Sequence, residues 1–352
     1  MSAELIDKIV EKGIEEVVSE LSVDLYGKNI LITGGSGFIG SWLCDIFVRL
    51  GARVSCLDNL SSGRTTNIDH LLSNNNFRFI KADVVEWIPR GEFDMIIHAA
   101  SLPAPEHYIE KPVEAILPNT LGLMKLLEYA RKTDSRILFT STSEVYGDSS
   151  VIPTPESFWG CVNPIGPRSC YDESKRMAEA LCMAYHRQYG IDVRIARIFN
   201  TYGPRLDPGA KYARVVSKFI MQALRNEPIT VHGDGKQTRS FCYITDTVTC
   251  LIKMLVKENI NGVVINVGNP QEITILELAK LIKKLTKSTS PIIFTSPRPD
   301  DPRRRCPNID MAKKILDWEP KVSLEDGLKH TIKWFKNLMY DSSPGKIRIS
   351  KL

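Results

Sequence analysis

The sequence lacks the features that mark metal-binding, secreted and membrane-spanning chains. Its eight cysteines include no CxxC pair, so we expect reduced, buried thiols in a cytoplasmic protein, and no metal site. The first residues are charged throughout, unlike a signal peptide. No apolar stretch approaches the ~20 residues of a membrane helix, so no membrane partner is expected.

The sequence also has little net charge. The 46 lysines and arginines outnumber the 41 acidic residues by only five, and they form no basic block interleaved with aromatic residues. Nucleic acid is therefore not expected as a partner, and the small positive excess would suit an anionic small molecule. With 43% hydrophobic and 25% charged residues, the 352 residues suffice for one large or two modest globular domains.

The stretch that organises the chain is NILITGGSGFIG at positions 29–40. An apolar run, three glycines at a spacing of three and a helical apolar pattern predict a strand, a tight turn and a helix. In a dinucleotide-binding turn the first glycine reverses the chain, the second admits a pyrophosphate, and the third, Gly40, lets helix and strand pack closely. The phosphates would lie at the helix N-terminus. The candidate cofactor residues here are Gly34, Gly37, Phe38 and Ile39.

An acid at the end of the next apolar run supports this interpretation. Asp58 lies eighteen residues after Gly40, about where a dinucleotide-binding unit places the carboxylate that binds the adenosine ribose. That carboxylate would repel a 2′-phosphate, so NAD is favoured over NADP, and Arg64 weakens this preference only slightly. Asn59 and Gly63 are further candidate cofactor residues.

Two later strand ends add candidate cofactor residues. Asp83 and Val84 follow the third predicted strand, where such a pair commonly contacts an adenine ring. Small residues, including Ala99 and Ser101, follow the fourth strand, where the backbone must pass close to a cofactor. His98, at the end of that strand, is interpreted as structural.

Strands and helices alternate from residue 28 to residue 202. Apolar runs predict strands at 30–33, 54–57, 77–80, 95–98, 137–140 and 193–197, and helical patterns predict helices at 42–50, 118–131 and 175–189. This alternation indicates an α/β fold with a Rossmann-type, doubly wound parallel sheet. We predict an NAD-binding Rossmann domain at 28–202, to which a helix and strand near 240–268 return.

Shorter elements follow and predict a smaller C-terminal α/β lobe, residues 203–338, that mainly binds the nucleotide sugar. Its predicted elements are helices at 215–224, 247–257, 275–285 and 324–335, a strand at 263–266, and a hairpin-like segment at 229–241. Thr274 is a plausible helix N-cap. Residues 1–27 predict an amphipathic helical extension, and residues 339–352 a tail.

Two motifs carry candidate catalytic chemistry. TSTSEVYG at 140–147 places hydroxyls and one acid directly after an apolar strand, where ligands of such sheets bind. Tyr171 and Lys175 are four residues apart, so a helix places them on one face, beside the cofactor. We expect the lysine ammonium to lower the pKa of the phenol. A phenolate can take the proton of a sugar hydroxyl while a hydride leaves the same carbon.

These motifs resemble a known family. TGGSGFIG, STSEVYG, YDESK and RIFNTYGPR are similar to the extended short-chain dehydrogenase/reductases that modify nucleotide sugars, a group of epimerases, dehydratases and decarboxylases. Within it, VNPIGPRSCYDESKR and GDGKQTRSFCYITD resemble the members that decarboxylate UDP-glucuronate. The resemblance covers roughly residues 28–335 and implies NAD as cofactor, UDP-glucuronate as substrate and UDP-xylose as product. It also implies a homodimer formed through the helices at 118–131 and 175–189.

The resemblance assigns roles to single residues. Dehydratases carry an Asp-Glu pair where this chain has Ser143 and Glu144, and the missing acid argues against expulsion of water. Arg168 lies where decarboxylases have an arginine. The planar guanidinium group of an arginine can bind a carboxylate through two hydrogen bonds. The resemblance implies that Glu144 and Arg305 are catalytic. Because two further arginines directly precede Arg305, the sequence does not decide which of the three is the catalytic one.

Other site residues are implied in the same way. Thr142 is expected to donate a hydrogen bond to the phenol of Tyr171, and Ser141 to contact the cofactor. The residues expected to contact the UDP-sugar are Tyr108, Asn200, Arg214, Arg239 and Arg298.

Three alternatives stay open. A UDP-sugar or UDP-uronate 4-epimerase would use the same tyrosine and lysine, with the ketone rotating before it is reduced again. A 4,6-dehydratase would need the acid that Ser143 replaces. A non-enzymatic sensor of NAD or nucleotide sugars is disfavoured because Tyr171 and Lys175 are both present.

Overall fold

A computed structural model describes residues 7–209, 214–298 and 301–341 of the chain, with residues 340 and 341 described by their backbone alone. Its helices are α1 (Lys8–Leu21), α2 (Phe38–Arg49), α3 (Pro105–Glu110), α4 (Pro112–Leu117), α5 (Leu123–Thr133), α6 (Ser169–Tyr189), α7 (Val215–Leu224), α8 (Ile244–Val256), α9 (Ile275–Thr286), α10 (Asp310–Leu316) and α11 (Leu324–Asp341). Within these described ranges, no helix combines the length and the apolar character that a membrane crossing requires.

The strands are β1 (Asn29–Thr33), β2 (Arg53–Asp58), β3 (Phe77–Lys81), β4 (Met95–His98), β5 (Arg136–Thr142), β6 (Val193–Ile198), β7 (Thr201–Tyr202), β8 (Ile229–His232), β9 (Thr238–Ser240), β10 (Cys242–Tyr243), β11 (Val263–Val267), β12 (Glu272–Thr274) and β13 (Ile292–Thr295). Seven of them form one sheet in the order β11-β6-β5-β4-β1-β2-β3. Its neighbouring strands pair in parallel; Ile30 of β1, for example, lies between Val54 of β2 and Met95 of β4. The predicted doubly wound fold is confirmed, with the change of winding direction at β1.

Two apolar layers cover the faces of this sheet. On one face Trp42 and Phe47 of α2 are fully buried, together with residues of α1 and α8. On the other face Leu127 of α5 and Cys182 of α6 are fully buried against strand residues. At Gly13 of α1 a Cβ atom would lie 3.0 Å from the Trp42 ring, so the N-terminal helix packs closely and belongs to the core.

The predicted hairpin at 229–241 is wrong. β8 pairs in parallel with β13, Ile229 lying beside Ile292, and β9 pairs antiparallel with β12. The reason lies in the turn, because the carbonyl of Gly235 accepts a hydrogen bond from the backbone N–H of Leu276 at the start of α9. The chain after the turn is thereby directed towards α9 instead of back along β8.

Two later elements pack on the sheet. β11 pairs with β6, placing Ile265 beside Ala196, and α8 packs on this side of the sheet. Thr274 caps α9 in a capping box with Glu277, as expected. α11 extends to Asp341, so residues 339–341 of the predicted tail are helical in their backbone, and residues 342–352 lie outside the described residues.

Candidate active site

A cavity of about 770 Å³ lies where the carboxyl edge of the sheet meets the C-terminal lobe. Ligands of doubly wound sheets bind at this edge. Every site residue expected from the sequence lines the cavity: Gly34, Gly37, Phe38, Ile39, Asp58, Asn59, Gly63, Asp83, Val84, Ala99, Ser101, Tyr108, Ser141, Thr142, Ser143, Glu144, Arg168, Tyr171, Lys175, Asn200, Arg214, Arg239, Arg298 and Arg305. The fold therefore gathers residues that are up to 271 positions apart, from Gly34 to Arg305, around one space.

The glycine turn has the geometry of a phosphate-binding loop. Gly34 has a φ of +70°, and a Cβ atom there would lie 2.7 Å from the backbone nitrogen of Ala100. At Gly40 a Cβ atom would lie 2.2 Å from the carbonyl oxygen of Gly34. Gly37 is the N-cap of α2 and supplies no side chain to cap it, so the first N–H groups of α2 are available to an anion.

The acid at the end of β2 is held in place by backbone groups. Asp58 accepts hydrogen bonds from the N–H groups of Ser36 (3.0 Å) and Leu60 (2.8 Å). A Cβ atom at Gly63 would lie 2.9 Å from an oxygen of Asp58, so this glycine allows the following loop to approach the carboxylate. The expected moderating cation, Arg64, forms an ion pair with Asp207.

Polar groups along the same side of the cavity fit a dinucleotide. Asp83 accepts hydrogen bonds from Asn59 Nδ2 (2.9 Å) and from the backbone N–H of Val85 (2.8 Å). The hydroxyls of Ser36 and Ser101 are buried and have no hydrogen-bond partner among the described residues. Buried polar atoms are normally satisfied, so these hydroxyls are suited to a polar ligand. The residues present therefore fit NAD.

His98 is structural, as expected. One ring nitrogen shares a 2.7 Å hydrogen bond with the hydroxyl of Thr33, and the other lies 2.9 Å from the carbonyl oxygen of Pro118. Burial lowers the pKa of His98 to about 3, so the ring is neutral.

Tyr171 and Lys175 lie on one face of α6, but their proton affinities differ from the expectation. Lys175 Nζ donates to the carbonyl oxygen of Thr140 at 2.7 Å and lies 5.9 Å from the centre of the Tyr171 ring. Burial raises the pKa of Tyr171 to about 12, although Arg214 and a hydrogen bond with Thr142 lower it. Burial also lowers the pKa of Lys175 to about 7. In the chain alone the pKa of Tyr171 is therefore raised and not lowered as expected, because burial outweighs the groups that lower it.

A hydrogen-bonded network of Ser141, Glu179 and Arg197 lies next to the Tyr171–Lys175 pair. The hydroxyl of Ser141 donates to Glu179 at 2.6 Å, so its side chain is already bonded within the protein. Arg197 donates to both oxygens of Glu179, with Nε–Oε1 at 2.9 Å and Nη2–Oε2 at 2.7 Å. Glu179 lies one turn after Lys175 and raises the pKa of that lysine against the effect of burial.

Glu144 lies at the centre of a cationic cluster. Arg305 donates to its two oxygens at 2.5 and 2.6 Å, and Arg168 donates to one of them at 2.5 Å. Burial alone would raise the pKa of Glu144, but Arg305, Arg168 and Arg239 together lower it to about 2. Glu144 is therefore ionised at neutral pH.

The cluster also settles two details of geometry. Arg303 and Arg304 are exposed, and Arg304 pairs with Glu272, so Arg305 is the arginine of the three that lines the cavity. Arg168 is expected from the sequence to bind a substrate carboxylate, and in the structure its guanidinium donates to Glu144, a carboxylate within the protein. The guanidinium groups of Arg168 and Arg305 share the single carboxylate of Glu144, so these three side chains together carry a net positive charge.

The remaining residues expected to contact the UDP-sugar have the following partners. Arg239 is buried and donates to Asp301 at 2.8 Å, and Arg298 is paired with Glu106 at 2.6 Å. Asn200 donates to the carbonyl oxygen of Ser240 at 3.3 Å. The Tyr108 ring stacks on the Tyr171 ring, with centres 5.1 Å apart and planes 4° apart.

Sequence reasoning missed three acids that contact arginines of this site. Asp301 and Glu106 pair with Arg239 and Arg298, and their positions depend on tertiary contacts that no local pattern reveals. Asp172 could have been found, because it lies directly between Tyr171 and Lys175, whose spacing indicates a helix. Its carboxylate is buried, 3.8 Å from the guanidinium of Arg168. Among the residues described, no group of three or more His, Cys, Asp or Glu side chains could hold a metal ion.

Together the fold and the site define a class of protein. A glycine turn after β1, a fixed acid at the end of β2 and a tyrosine–lysine pair beside β5 form one cavity, as in short-chain dehydrogenase/reductases that oxidise and reduce alcohols on a dinucleotide. The family model described as GDP-mannose 4,6 dehydratase matches residues 31–331. The chain belongs to this family, which is an extended branch of that class and confirms the resemblance seen in the motifs.

Relatives and solved structures agree with this assignment. UDP-glucuronic acid decarboxylase 1 of Xenopus tropicalis is 47% identical over 369 residues, covering 97% of this chain and 86% of the relative. UDP-glucuronic acid decarboxylase 3 of Arabidopsis thaliana is 50% identical over 302 residues, covering 85% and 86%. UDP-glucuronic acid 4-epimerase from Bacillus cereus, solved with UDP-glucuronic acid and NAD, has a TM-score of 0.79 and 30% identity, covering 88% of this chain and 99% of that one. UDP-glucose 4-epimerase from Thermotoga maritima has a TM-score of 0.80 and 32% identity, with the same coverage.

Proposed function

We propose that this chain uses NAD to decarboxylate UDP-glucuronate to UDP-xylose through a 4-keto intermediate. The observation that carries the proposal is the Glu144 cluster, in which Arg168 and Arg305 share one carboxylate within the cavity that also contains Tyr171. The relatives named UDP-glucuronic acid decarboxylase, at 47–50% identity, support it.

The first step is oxidation at C4 of the sugar. Tyr171 takes the proton of the C4 hydroxyl, with Thr142 bonded to the phenol and Lys175 on the same helix face. NAD, when bound, accepts the C4 hydride and later returns it. Burial raises the pKa of Tyr171 to about 12 even though Arg214 lowers it, and a positive charge on Lys175, 5.9 Å from the ring centre, would favour the phenolate further.

The second step is the loss of CO2. Oxidation of C4 makes the C6 carboxylate a β-keto acid, which needs no leaving-group acid. Two guanidinium groups and one carboxylate give the cluster of Arg168, Arg305 and Glu144 a net charge of about +1, and this charge would bind the C6 carboxylate. The absence of an acid at Ser143, which lies beside Glu144, is consistent with a reaction that expels no water.

The lobe would bind the nucleotide. Arg239 and Arg298 line the cavity and are proposed to contact the diphosphate, while Asn200, Tyr108 and Arg214 would contact the sugar. On this basis we assign residues 28–202 mainly to NAD and residues 203–338 mainly to the UDP-sugar. We also propose a cytoplasmic location, which the eight cysteines without a disulfide support.

A 4-epimerase is the second candidate. The Bacillus cereus structure that resembles this chain is a UDP-glucuronic acid 4-epimerase at 30% identity, so the same fold can hold that chemistry. The higher identity to the decarboxylases favours decarboxylation. Purified chain incubated with NAD and UDP-glucuronate labelled with ¹³C at C6 separates the two, because labelled CO2 supports the proposal and a labelled hexuronate isomer supports the epimerase.

We further propose a homodimer. Leu121, Met124 and Met177 are each more than 40% exposed. They lie on the π-helical segment Pro118–Gly122 that leads into α5, on α5 and on α6. Apolar side chains in this number on adjacent helices favour burial against a second copy. The helices are the two that the family resemblance implied.

A further inference from the structure

Arg64 and Asp207 form an ion pair between two loops that both line the cavity. Arg64 lies in the loop after β2, and Asp207 lies in the segment after β7, 143 positions later. Their side chains are 44% and 36% exposed, so the pair remains in contact with solvent. Such a pair contributes little to folding, but it does decide which partner the guanidinium has in the cavity.

The segment that carries Asp207 is held against α2. Nε1 of Trp42 donates to the carbonyl oxygen of Pro204 at 3.1 Å. Nη1 of Arg205 donates to Asp45 at 2.6 Å, and both of these charged side chains are buried. These contacts fix the backbone from which the Asp207 side chain extends.

The backbone of Arg64 is held beside the acid at the end of β2. The N–H of Arg64 donates to the carbonyl oxygen of Ser36 at 3.1 Å, and the N–H of Ser36 donates to Asp58 at 3.0 Å. The residue before Arg64 is Gly63, where a Cβ atom would lie 2.9 Å from an oxygen of Asp58. Arg64 therefore belongs to the part of the loop that passes close to the Asp58 carboxylate.

The group at the 2′ position of the adenosine ribose is the difference between NAD and NADP. In dinucleotide-binding folds the acid at the end of the second strand binds the 2′-hydroxyl of NAD, and a nearby arginine can accommodate the 2′-phosphate of NADP. A phosphate monoester carries about −1.5 to −2 charges at neutral pH, and a guanidinium can bind it through two hydrogen bonds. Arg64 has the chemistry for this role, but its guanidinium is already bonded to Asp207.

We propose that Asp207 sets the preference for NAD over NADP by occupying the guanidinium of Arg64. The side chains of Asp58, Arg64 and Asp207 together carry a net charge of about −1, which repels a 2′-phosphate. Without the Asp207 carboxylate this sum is about zero, and the guanidinium is available to a phosphate. The 2′-hydroxyl of NAD is neutral and gains from neither change. Asp207 acts through Arg64 and need not touch the cofactor.

The test compares the dissociation constants of NADH and NADPH, measured by the fluorescence of the bound cofactor in the absence of any UDP-sugar. The two cofactors differ only in the 2′-phosphate. We expect the wild-type chain to bind NADH more tightly than NADPH. Asp207→Asn should bind NADPH at least about 10-fold more tightly than the wild type does, because a charge-assisted contact is gained, and should keep the NADH constant within about 3-fold.

The substitution keeps the local turn, and the chain offers a matched control for it. Asp207 accepts a hydrogen bond from the backbone N–H of Gly209 at 2.8 Å, and the side-chain oxygen of an asparagine can accept the same bond. Asp24 accepts from the N–H of Tyr26 in the same arrangement, at 2.9 Å, but it lies before β1, whereas the cavity is at the carboxyl edge of the sheet. Asp24→Asn changes the net charge equally and should leave both dissociation constants unchanged.

The double variant Arg64→Gln/Asp207→Asn shows whether Asp207 acts through Arg64. The gain in NADPH binding should disappear in it, because no guanidinium remains to bind the phosphate. If Asp207→Asn does not fold, Asp207→Ser carries the same expectation, since serine can also accept the N–H of residue 209.

Four results would overturn the proposal: a wild-type chain that binds NADH and NADPH equally, an unchanged NADPH constant in Asp207→Asn, equal changes of both constants in that variant, or a gain that persists in the double variant. The proposal concerns cofactor binding alone and is independent of the fate of the sugar. If the dissociation constants behave as expected and no CO2 is released from UDP-glucuronate, only the proposed function fails.

Discussion

The guanidinium of Arg305 meets the carboxylate of Glu144 with both terminal nitrogens, at 2.5 and 2.6 Å, across 161 positions of sequence. Glu144 belongs to the turn after β5, and Arg305 to the segment between β13 and α10. Their ion pair therefore joins the sheet to the C-terminal lobe at the point where the substrate is proposed to react. Stability and activity should both depend on it.

Replacement of Arg305 tests this link. We expect Arg305→Ala to lower the free energy of unfolding by about 3 kcal/mol, since removal of one partner leaves a buried charge less compensated. CO2 release should fall by at least about 100-fold, as for loss of a charge-stabilising donor. Urea unfolding and CO2 trapping measure the two effects.

Arg304→Ala is the matched control for that change. Arg304 is the exposed neighbour and pairs with Glu272, so its loss should cost no more than about 1 kcal/mol and leave CO2 release near the wild-type rate. Equal effects of the two variants would remove Arg305 from the site.

The ionisation of Glu144 should appear in the pH dependence of stability. The cluster lowers the pKa of Glu144 to about 2, below its ordinary value, so its stabilising contribution is present above that ordinary value and is lost as the pH falls towards 2. We therefore expect the gap in unfolding free energy between the wild type and Glu144→Gln to shrink by about 2 kcal/mol from pH 6 to pH 3. The subtraction cancels the carboxyl groups that do not interact with Glu144, and a constant gap would contradict this ionisation.

Glu179 should act on catalysis through Lys175. Burial lowers the pKa of Lys175 to about 7 and Glu179 opposes this, so Glu179→Gln should lower it further. If the ammonium form is the active one, the alkaline limb of the kcat/KM profile moves to lower pH by roughly one unit. Glu179→Asp retains the charge and should restore most of the wild-type profile. A lower rate at every pH with an unmoved limb would show a purely structural role.

The proposed dimer can be tested on α6. A charge in the centre of an apolar contact is strongly unfavourable, so Met177→Asp should convert the dimer to a monomer in light scattering. Ile293→Asp, at an exposed apolar residue of β13 in the lobe, is the control and should leave the dimer intact. A wild-type chain that is monomeric at micromolar concentration would rule out the dimer.

Much of the site could be predicted because its elements are local in sequence. The glycine turn, Asp58 and the Tyr171/Lys175 pair each depend on a spacing within one strand, turn or helix, and the parallel fold then brings such strand ends to one edge. The N-cap of α9 at Thr274 was predictable for the same reason, since a capping box involves residues three positions apart.

Other features depend on distant parts of the chain. The pairing of β8 with β13 spans more than sixty residues, so the local turn at 233–235 suggested a hairpin that does not form. The proton affinities of Tyr171 and Lys175 are dominated by burial, which spacing does not reveal. The hydrogen bond from Arg168 to Glu144 could not be predicted, because the approach of Glu144 depends on the turn after β5.

The most direct test of the central claim is the mass of the nucleotide sugar formed when the purified chain is incubated with UDP-glucuronate and NAD. We expect a UDP-pentose whose neutral mass is lower than that of UDP-glucuronate by one CO2. Tyr171→Phe, which lacks the base, should give no such product. A product of unchanged mass, formed by the wild type and absent in Tyr171→Phe, would identify an epimerase and contradict decarboxylation.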